Sequence, residues 1–532
     1  MVSTSSTDES RSTDTLPGAL RAAAARWPDR HAVIDGATRL TFGDLLAHVR
    51  ACAQGYLDHG LQPGDRVCLW APNSWQWEVA ALAVTYAGGT LVPLNTRYTG
   101  HEAVEIVART RAQLVVVEDG FLGRDQVGEL RAAAEDAGVR LPEVLTTDGL
   151  PPAIGAERVE ADTRADAVTP DDVADILFTS GTTGRSKGAL SAHRQTVGVA
   201  RIWGELGGVG AEDRYLVVNP FFHSFGYKVG IVTGLLTGAT LYPMATFDVP
   251  GLLRIVAEER ITVLPGAPTI YQSLLTAPGR ASYDLSSLRL AVTGAAVVPV
   301  VLIERMREEL GIDQVVTAFG MTECVVATMA RADDPADLVA STCGRAVPGM
   351  ETRIERPADA EPDAPGELLL RGPWVTLGYL DDPEATAAAI DADGWLHTGD
   401  VGTLDEAGNL RITDRLKDMY ISGGFNVYPA EVEQALLRRP EIADVAVVGV
   451  PDERMGEVGR AYVVRSADEA GAALSAEDVV AFARERLANF KTPREVVFVD
   501  ALPRNLSGKV LKTELRVLDP AASAPGPTEK GS

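Results

Sequence analysis

The sequence predicts an α/β protein with a large N-terminal domain of several subdomains, built on parallel and mixed sheets, and a small α+β C-terminal domain. From Leu16 to about Val116, short apolar strands alternate with helical segments, which is typical of a parallel sheet covered by helices on both faces. The charged residues 414–418 then separate two strands and precede a fresh α/β pattern, as at an interdomain junction. The length of 532 residues suffices for both domains.

In chain order, the periodicity of the N-terminal part predicts a helix over residues 18–26, a strand over 31–34, a helix over 41–56, a strand ending at Trp70, a helix over Trp75–Tyr86 and a strand over Thr90–Pro93. Thr41 and Asp44 have the spacing of a capping box at the start of the second helix. Residues 148–169 are rich in Pro, Ala and Asp and show no clear period, so we expect a loop there.

The stretch ILFTSGTTGRSKGAL, residues 176–190, carries the strongest chemical signal. After an apolar strand it supplies hydroxyls and glycines around one lysine: Thr179, Ser180, Gly181, Thr182, Thr183, Gly184, Lys187 and Gly188. Hydroxyls, free backbone N–H groups and a lysine in one short loop favour a phosphate-binding site over a polar surface turn. The spacing from Gly184 to Lys187 is not that of the P-loop of NTPases, which argues against a GTPase or kinase-like enzyme.

Two later stretches suit a ligand pocket, but each also fits an ordinary structural role in the core. The aromatic segment NPFFHSFGYK, with Phe222 and His223, suits the wall of a pocket for an apolar substrate, or an aromatic core. Strands are expected over residues 261–270 and 288–296. The second strand ends in small residues, Gly294, Ala295 and Ala296, which either let a purine lie against the backbone or allow close packing.

Two carboxylates follow apolar strands. Glu323, after Thr322 in the segment TAFGMTE, is a candidate Mg²⁺ ligand, with a helix cap as the alternative. Asp400 ends the segment GWLHTGD and could accept hydrogen bonds from both ribose hydroxyls, with an ordinary turn aspartate as the alternative.

In the C-terminal part, the pattern predicts strands around residues 410–412 and 419–421, a helix over 430–439, strands over 445–450 and 461–464, a helix over 476–490 and a strand over 496–499. Ser475 and Asp478 are the expected cap of the second helix. Lys509 follows a glycine in the turn of PRNLSGKVLK.

The composition narrows the function classes. A formal net charge of −25 argues against nonspecific binding to nucleic acid or to an anionic membrane. The apolar runs are too short to span a membrane, and the polar N-terminus lacks the apolar core of a signal peptide. The 4 cysteines show no metal-ligand spacing and are too few for a disulfide framework, so the cytoplasm is the expected location.

Taken in order, FTSGTTGRSKG, FGMTE, HTGD, RLKDMYISGGFNVYPAEVE and PRNLSGKVLK resemble the motifs of the acyl-CoA synthetase branch of the adenylate-forming superfamily. That superfamily includes acyl-CoA ligases, firefly luciferase and nonribosomal adenylation domains. With the polar composition of both termini, the resemblance implies a disordered lead over residues 1–15, an adenylation and acyl-binding domain over 16–414, a hinge over 415–418 that contains Lys417, a mobile C-terminal domain over 419–518 and a disordered tail over 519–532.

The resemblance also implies a role for each matching residue. Lys187, Glu323 and Lys509 would be catalytic, and the loop from Thr179 to Lys187 would hold the ATP phosphates. The other roles are these: Gly294, Ala295, Ala296, Phe319, Gly320 and Met321 around the adenine, Thr322 and Glu323 at the Mg²⁺ and phosphates, Asp400 and Arg415 at the ribose, and Phe222, His223, Gly423 and Gly424 along the acyl and CoA tunnel.

The implied reaction has two steps and uses ATP, Mg²⁺ and CoA. A carboxylic acid and ATP give an acyl-adenylate and PPi, and the CoA thiol then displaces AMP. Lys509 would contact the carboxylate and α-phosphate in the first step, before the small domain rotates about its hinge. Ser186 and Phe319 replace the proline and tyrosine common in the family, and either change could slow adenylation. The oligomeric state stays open, and a homodimer is one of the alternatives.

Within this branch, NPFFHSFGYK, RITDRLKDMYI and LSSLRLAVTGAAVVPV most resemble ligases of actinobacterial steroid-ring catabolism, which activate a methyl-indanedione propanoate. We therefore expect a polycyclic steroid- or terpenoid-derived carboxylic acid as the substrate. The alternatives are a medium- or long-chain fatty acyl-CoA ligase, a thioesterification-only ligase, an acyl-AMP ligase that loads a carrier protein, and a noncatalytic nucleotide- or acyl-binding protein.

Overall fold

The computed structural model describes residues 13–151, 159–179, 186–294, 300–356, 361, 364–415, 418–422, 425–452, 454–487, 489–504 and 509–518. Within these ranges, none of the helices combines the length and the apolar character needed to cross a membrane.

The α-helices are numbered along the chain. They are α1 Leu16–Arg26, α2 Phe42–Asp58, α3 Trp75–Tyr86, α4 Gly100–Thr110, α5 Gln126–Asp136, α6 Val159–Ala167, α7 His193–Gly207, α8 Thr233–Thr237, α9 Val249–Glu258, α10 Pro268–Thr276, α11 Val300–Leu310, α12 Ala336–Ser341, α13 Pro383–Ala389, α14 Pro429–Leu436, α15 Glu469–Ala473, α16 Ala476–Arg486 and α17 Lys512–Val517. A π-helix, Phe225–Val232, runs directly into α8.

The strands are numbered in the same way. They are β1 His31–Asp35, β2 Thr38–Thr41, β3 Arg66–Trp70, β4 Thr90–Pro93, β5 Leu114–Val117, β6 Glu143–Thr146, β7 Val173–Thr179, β8 Lys187–Ala192, β9 Arg214–Val217, β10 Thr240–Pro243, β11 Val263–Pro265, β12 Leu290–Gly294, β13 Gln314–Met321, β14 Cys324–Met329, β15 Arg345–Ala346, β16 Glu351–Glu355, β17 Gly366–Arg371, β18 Leu396–Leu404, β19 Leu410–Arg415, β20 Tyr420–Ser422, β21 Phe425–Val427, β22 Ile442–Asp452, β23 Gly456–Arg465 and β24 Glu495–Phe498.

Two large, mostly parallel sheets dominate the N-terminal part. The nine-stranded sheet has the order β15-β14-β13-β12-β11-β9-β10-β1-β2, and the six-stranded sheet has the order β6-β5-β3-β4-β7-β8. The antiparallel pairs lie at the two ends of the first sheet, β1 with β2, β13 with β14 and β14 with β15, and at one end of the second sheet, β7 with β8. One continuous apolar core takes residues from both sheets, such as Leu91 and Leu241. The predicted fold class is confirmed.

Local sequence signals explain where several helices begin. Thr41 and Asp44 form the predicted capping box at the start of α2. Ser74 caps α3, whose bounds match the prediction, and Thr15 caps α1 by accepting a hydrogen bond from the Gly18 N–H at 3.1 Å.

Two predictions about local structure are wrong. Residues 159–167, expected to belong to a loop, form α6, because Ala161 and Ala165 are buried and Asp162 pairs with Arg50. These tertiary contacts select the helix despite its polar sequence. The strand predicted over residues 261–270 stops at Pro265, because Pro268 occupies the first position of α10, where its missing N–H costs nothing.

The remaining strands form two smaller sheets. The antiparallel sheet β16-β17-β18-β19 follows the nine-stranded sheet in the chain. The C-terminal sheet β21-β20-β23-β22, with β24 parallel to β23, has α14 and α16 on one face, where its own core contains Val432, Val447 and Val479. Leu515 of α17 belongs to a second cluster, with Val448 and Tyr462. The C-terminal part therefore has its own sheet and its own apolar clusters.

Candidate active site

The predicted phosphate loop joins two strands of an antiparallel hairpin. Thr179 at the end of β7 lies opposite Lys187 at the start of β8, and the Thr179 hydroxyl donates to the Lys187 carbonyl oxygen at 3.4 Å. Ser180, Gly181, Thr182, Thr183 and Gly184 lie outside the described residues. The ladder between β7 and β8, the edge strand of the six-stranded sheet, therefore fixes the residues on both sides of the loop.

A side chain from α4 holds the end of this loop. The Arg109 guanidinium donates to the Ser186 carbonyl oxygen at 2.8 Å and lies over the ring of Phe178, 5.1 Å from its centroid. Ser186 is the position where the family commonly has proline. A hydrogen bond from a neighbouring helix therefore restrains the loop at the residue where a proline ring is missing.

A segment that the sequence analysis did not single out adds to the free edge of β8. The Leu190 N–H donates to the Gly378 carbonyl oxygen at 2.9 Å, and the Leu380 N–H donates to that of Gly188 at 2.8 Å. Gly378 has a φ of +128°, and a Cβ there would come within 2.7 Å of Thr386, so this crossing requires glycine. The pairing places Tyr379 next to Lys187.

Tyr379 joins two of the predicted site residues. Its hydroxyl donates to Glu323 Oε1 at 2.7 Å, and Lys187 Nζ lies 4.9 Å from the centroid of its ring. Burial raises the pKa of Tyr379 above its ordinary value, and the negative charge of Glu323 adds to the increase. The structure thus brings Lys187 and Glu323 together through a residue that carries no recognisable local sequence signal.

Glu323 occupies a tight turn rather than a helix cap. Thr322 and Glu323 are the two residues between β13 and β14, where Met321 pairs with Cys324, so the helix-cap alternative is wrong. A Cβ at Gly320 would lie 1.9 Å from a backbone oxygen, so the hairpin requires glycine there. Glu323 is 7% exposed. Among the described residues, its Oε2 makes no hydrogen bond, which leaves this oxygen for a cation.

Asp400 and Arg415 lie directly opposite each other in the ladder between β18 and β19. Asp400 is buried in the middle of a strand, so the turn alternative is wrong. Its backbone N–H donates to the Thr398 hydroxyl at 3.0 Å. Burial raises the pKa of the Cys343 thiol to about 11, and the nearby Asp400 carboxylate adds to this increase. The two predicted ribose contacts therefore share one ladder position.

The predicted adenine residues end two neighbouring parallel strands. Gly294 at the end of β12 lies opposite Ala318 in β13, and Phe319, half-buried, follows. Ala295 and Ala296 lie outside the described residues. Since carboxyl ends of parallel strands meet at one edge of a sheet, Gly294 and Phe319 share the edge from which the hairpin turn with Glu323 extends.

The aromatic segment divides between core and surface. Phe221 is fully buried against Trp77, with ring centroids 5.2 Å apart, and its N–H donates to Asn73 Oδ1 at 2.7 Å. Phe222 is half-buried and His223 is exposed. His223 Nδ1 accepts a hydrogen bond from the Phe225 N–H at 3.2 Å, and the surrounding protein lowers its pKa by desolvation. His223 therefore presents a solvent-accessible imidazole next to Phe222.

The C-terminal candidates are described only in part. Lys509 is half-buried and precedes Val510, which bridges Arg504, while Arg504 pairs with Asp444 at 2.6 Å. Asp418, at the end of the predicted hinge, pairs with Arg516 at 3.1 Å. Lys417, Gly423 and Gly424 lie outside the described residues.

A second group of potential metal ligands lies on the four-stranded sheet. Single ligand atoms of Glu355, Glu367 and His397 all lie within 4.8 Å of one another. Glu355 is exposed, and Glu367 already accepts hydrogen bonds from the Gly399 N–H and the His397 ring. The hydrogen bonds account for this group without an ion, so Glu323 stays the candidate for Mg²⁺.

Comparison with known proteins identifies the family of this chain. The model of the AMP-binding enzyme family matches residues 20–380, and that of the AMP-binding enzyme C-terminal domain matches residues 431–509. The chain belongs to the AMP-binding enzyme family. The predicted resemblance and the predicted enzyme class, an AMP-forming acid–thiol ligase, are both confirmed.

The relatives of this AMP-binding enzyme include two CoA ligases that are named for a methyl-dioxo-octahydroindenyl propanoyl group. The protein of Rhodococcus jostii is 57% identical, with 94% of this chain and 98% of the relative covered. That of Mycobacterium tuberculosis is 56% identical over 95% of this chain and 99% of the relative. Among solved structures, ATP-bound MatB from Rhodopseudomonas palustris matches with a TM-score of 0.81 and 31% identity, over 94% of this chain and 98% of that chain.

Proposed function

We propose that this AMP-binding enzyme is an ATP- and Mg²⁺-dependent CoA ligase for a polycyclic, steroid- or terpenoid-derived propanoic acid. The observation that carries the proposal is the contact between Lys187, Tyr379 and Glu323. It sets a cation at the end of the phosphate loop beside a buried carboxylate. Such a pair suits a nucleotide triphosphate with its divalent cation.

In the first step, a carboxylate oxygen of the acid attacks the α-phosphorus of ATP, the bond to the β-phosphate oxygen breaks, and PPi leaves. Lys187 would neutralise charge on the phosphates, and Glu323 would hold Mg²⁺, which supplies further positive charge there when bound. The Gly294 and Phe319 edge would receive the adenine. Asp400 and Arg415 would hold the ribose, which their shared ladder position supports.

In the second step, the CoA sulfur attacks the acyl carbonyl carbon, the bond to AMP breaks, and AMP leaves with the electron pair. We propose that the C-terminal domain, over residues 419–518, delivers Lys509 for the first step and then turns about the 415–418 hinge. The separate C-terminal sheet supports such a rotation. Phe222 and His223 would line the tunnel that the acyl group and CoA share.

The substrate class comes from the relatives and from the aromatic segment. Two relatives at 57% and 56% identity are named for a bicyclic propanoyl group with two ketones. The exposed imidazole of His223 lies next to half-buried Phe222, a mixed surface that fits a bulky and mostly apolar acid. Feruloyl-CoA synthase of an Amycolatopsis species is 37% identical, so an aromatic acid belongs in the test.

Product analysis by mass spectrometry tests the proposal. The protein is incubated with ATP, Mg²⁺, CoA and a panel of fatty, aryl and polycyclic propanoic acids, with omission of ATP as the control. We expect a CoA thioester of a polycyclic acid together with AMP. Thioesters of fatty or aryl acids alone would contradict the substrate class.

A supplied acyl-adenylate separates the remaining alternatives. Conversion of the adenylate without conversion of any free acid would identify a thioesterification-only ligase. Release of PPi without a CoA thioester would indicate a different thiol acceptor, such as a carrier protein.

A further inference from the structure

A buried ion pair lies between the two large sheets. Lys228 Nζ lies 2.9 Å from Asp175 Oδ1, and the side chains are 2% and 0% exposed. Lys228 Nζ also donates to the Ser191 hydroxyl at 2.8 Å, and the Thr196 hydroxyl donates to Asp175 Oδ2 at 2.7 Å. Both charges are thus held by specific partners inside the core.

The four residues come from four elements around the candidate site. Asp175 on β7 and Ser191 on β8 are ladder partners in the hairpin that carries the phosphate loop. Thr196 belongs to α7. Lys228 is in the middle of the π-helix, which starts two residues after His223. The network therefore ties the strands of the phosphate loop to the helix of the proposed acyl tunnel.

The opposite face of the π-helix rests on the nine-stranded sheet. A Cβ at Gly230 would lie 3.2 Å from Val217 of β9, and one at Gly234, in α8 directly after the π-helix, would lie 3.0 Å from Leu241 of β10. At Gly226 it would lie 2.2 Å from the Pro220 carbonyl oxygen. The glycines allow close packing against the nine-stranded sheet. Lys228, on the opposite side of the helix, contacts Asp175 of the six-stranded sheet. The helix position is thus fixed between the two sheets.

Stability alone is a weak reason for such a pair. Removing two charges from water costs several kcal/mol, so well-packed apolar residues of similar volume often give equal or greater stability. What an ion pair adds is a defined distance between its two groups, which apolar contacts specify less strictly. A π-helix is also rare and is frequently found at functional sites.

We propose that Asp175 and Lys228 are positioning residues for the acid substrate: their pair sets the distance between the π-helix, which directly follows the proposed acyl contacts Phe222 and His223, and the strands of the phosphate loop. The inference rests on the proposed acid activation. A bulky acid held by Phe222 and His223, directly before the π-helix, reaches the α-phosphorus only if the helix and the strands of the loop keep this separation. The proposed nucleotide contacts at Asp400, Gly294 and Glu323 come from other strands, so a change in this separation should affect the acid more than ATP.

The test uses the full-length enzyme and the acid of the panel that it activates fastest. Steady-state release of PPi gives kcat and the KM values for acid and for ATP, and thermal unfolding gives Tm. The main variant is Asp175→Asn/Lys228→Met, which removes both charges at nearly constant volume. Ser191→Ala is a milder variant, because it removes one hydroxyl from the network and leaves both charges.

We expect the double variant to keep a Tm near that of the wild type. Its KM for the acid should rise about tenfold, which corresponds to a loss of about 1.4 kcal/mol of binding free energy when the acid contacts move relative to the loop. Its KM for ATP should change less than about twofold. Ser191→Ala should shift the acid KM in the same direction by a smaller factor. The preference for a polycyclic over a small acid, measured as a ratio of kcat/KM values, should fall.

The pair of Arg289 and Asp213 provides a matched control. It joins residues before β9 and β12 at the amino ends of the parallel strands, away from the site. Asp213→Asn/Arg289→Met should alter Tm without a change in the acid KM.

An unchanged acid KM in a folded Asp175→Asn/Lys228→Met variant would overturn the inference, and so would equal increases in both KM values. If the double variant does not fold, Ser191→Ala decides, because an unchanged acid KM there is also a contradiction. A wild-type preference for a fatty or aryl acid would refute the proposed substrate while leaving this comparison of KM values intact.

Discussion

The Tyr379 hydroxyl donates a 2.7 Å hydrogen bond to Glu323 Oε1, although 55 residues lie between them in the chain. The tyrosine thereby fixes the carboxylate that we assign to Mg²⁺ and places its ring under Lys187. Loss of this hydroxyl should matter for the reaction more than for the fold, because the ring and its packing remain.

Tyr379→Phe should lower kcat for adenylation about tenfold or more, since a hydrogen bond to a charged group is worth about 1.5–3 kcal/mol. The Mg²⁺ concentration needed for half-maximal rate should rise. Stopped-flow release of PPi over a range of Mg²⁺ concentrations measures both. Tyr242→Phe is the matched control, because the Tyr242 hydroxyl donates to Glu259 at 3.2 Å, far from the site. Equal effects of the two variants would contradict the role of Tyr379.

Arg109→Met should weaken the restraint on the phosphate loop. The lost hydrogen bond to the Ser186 carbonyl oxygen is worth about 1 kcal/mol, so the KM for ATP should rise about fivefold. Ser186→Pro in the same variant should restore much of the affinity, because proline restricts the backbone at that residue. Isothermal titration with ATP measures the effect. If Arg109→Met weakens ATP binding and Ser186→Pro does not restore it, Arg109 has a different function.

Lys509→Ala should abolish formation of the acyl-adenylate while leaving substantial ATP binding. The lysine would act on the carboxylate and α-phosphate only in the first step, so conversion of a supplied acyl-adenylate to the thioester should continue. Release of PPi, ATP titration and thioester formation give the three readouts. Undiminished adenylation in this variant would refute the assignment of Lys509.

Glu78 should make stability fall as the pH rises. It is 1% exposed on α3, and burial raises its pKa from 4.5 to about 8. Below 4.5 both the folded and the unfolded chain bind the proton. Between 4.5 and about 8 only the folded chain keeps it, so stability decreases through this window, by up to about 5 kcal/mol.

Glu78→Gln removes this titration. The Tm of Glu78→Gln minus that of the wild type should increase as the pH rises from about 5 to about 8 and should then stay constant. Differential scanning calorimetry across this range measures the difference. Parallel Tm curves for the two proteins would show that Glu78 is already ionised in the folded state.

The sequence predicted elements whose signals are local. The capping box of Thr41 and Asp44 and the helix Trp75–Tyr86 were specified by neighbouring residues. The helix α6 was missed, because its stability comes from partners of Asp162 in distant helices. The same reason explains Tyr379, which becomes part of the site only when residues 377–380 pair with β8. Side-chain types predicted Glu323 and Asp400, whereas their turn and strand positions depended on pairing across the sheets.

The glycines that pack against the nine-stranded sheet offer a way to change the size of acid accepted by the proposed acyl site without altering the proposed catalytic residues. A methyl group at Gly230 or Gly234 meets only side-chain carbons at 3.2 and 3.0 Å, which can yield by a few tenths of an ångström, whereas one at Gly226 strikes a carbonyl oxygen. The middle of the π-helix and the start of α8 can therefore shift in small increments while the start of the π-helix stays in place. Gly230→Ala and Gly234→Ala should therefore alter the proposed acyl tunnel gradually, a simple route by which related enzymes, or an engineer, could move between acids of different bulk.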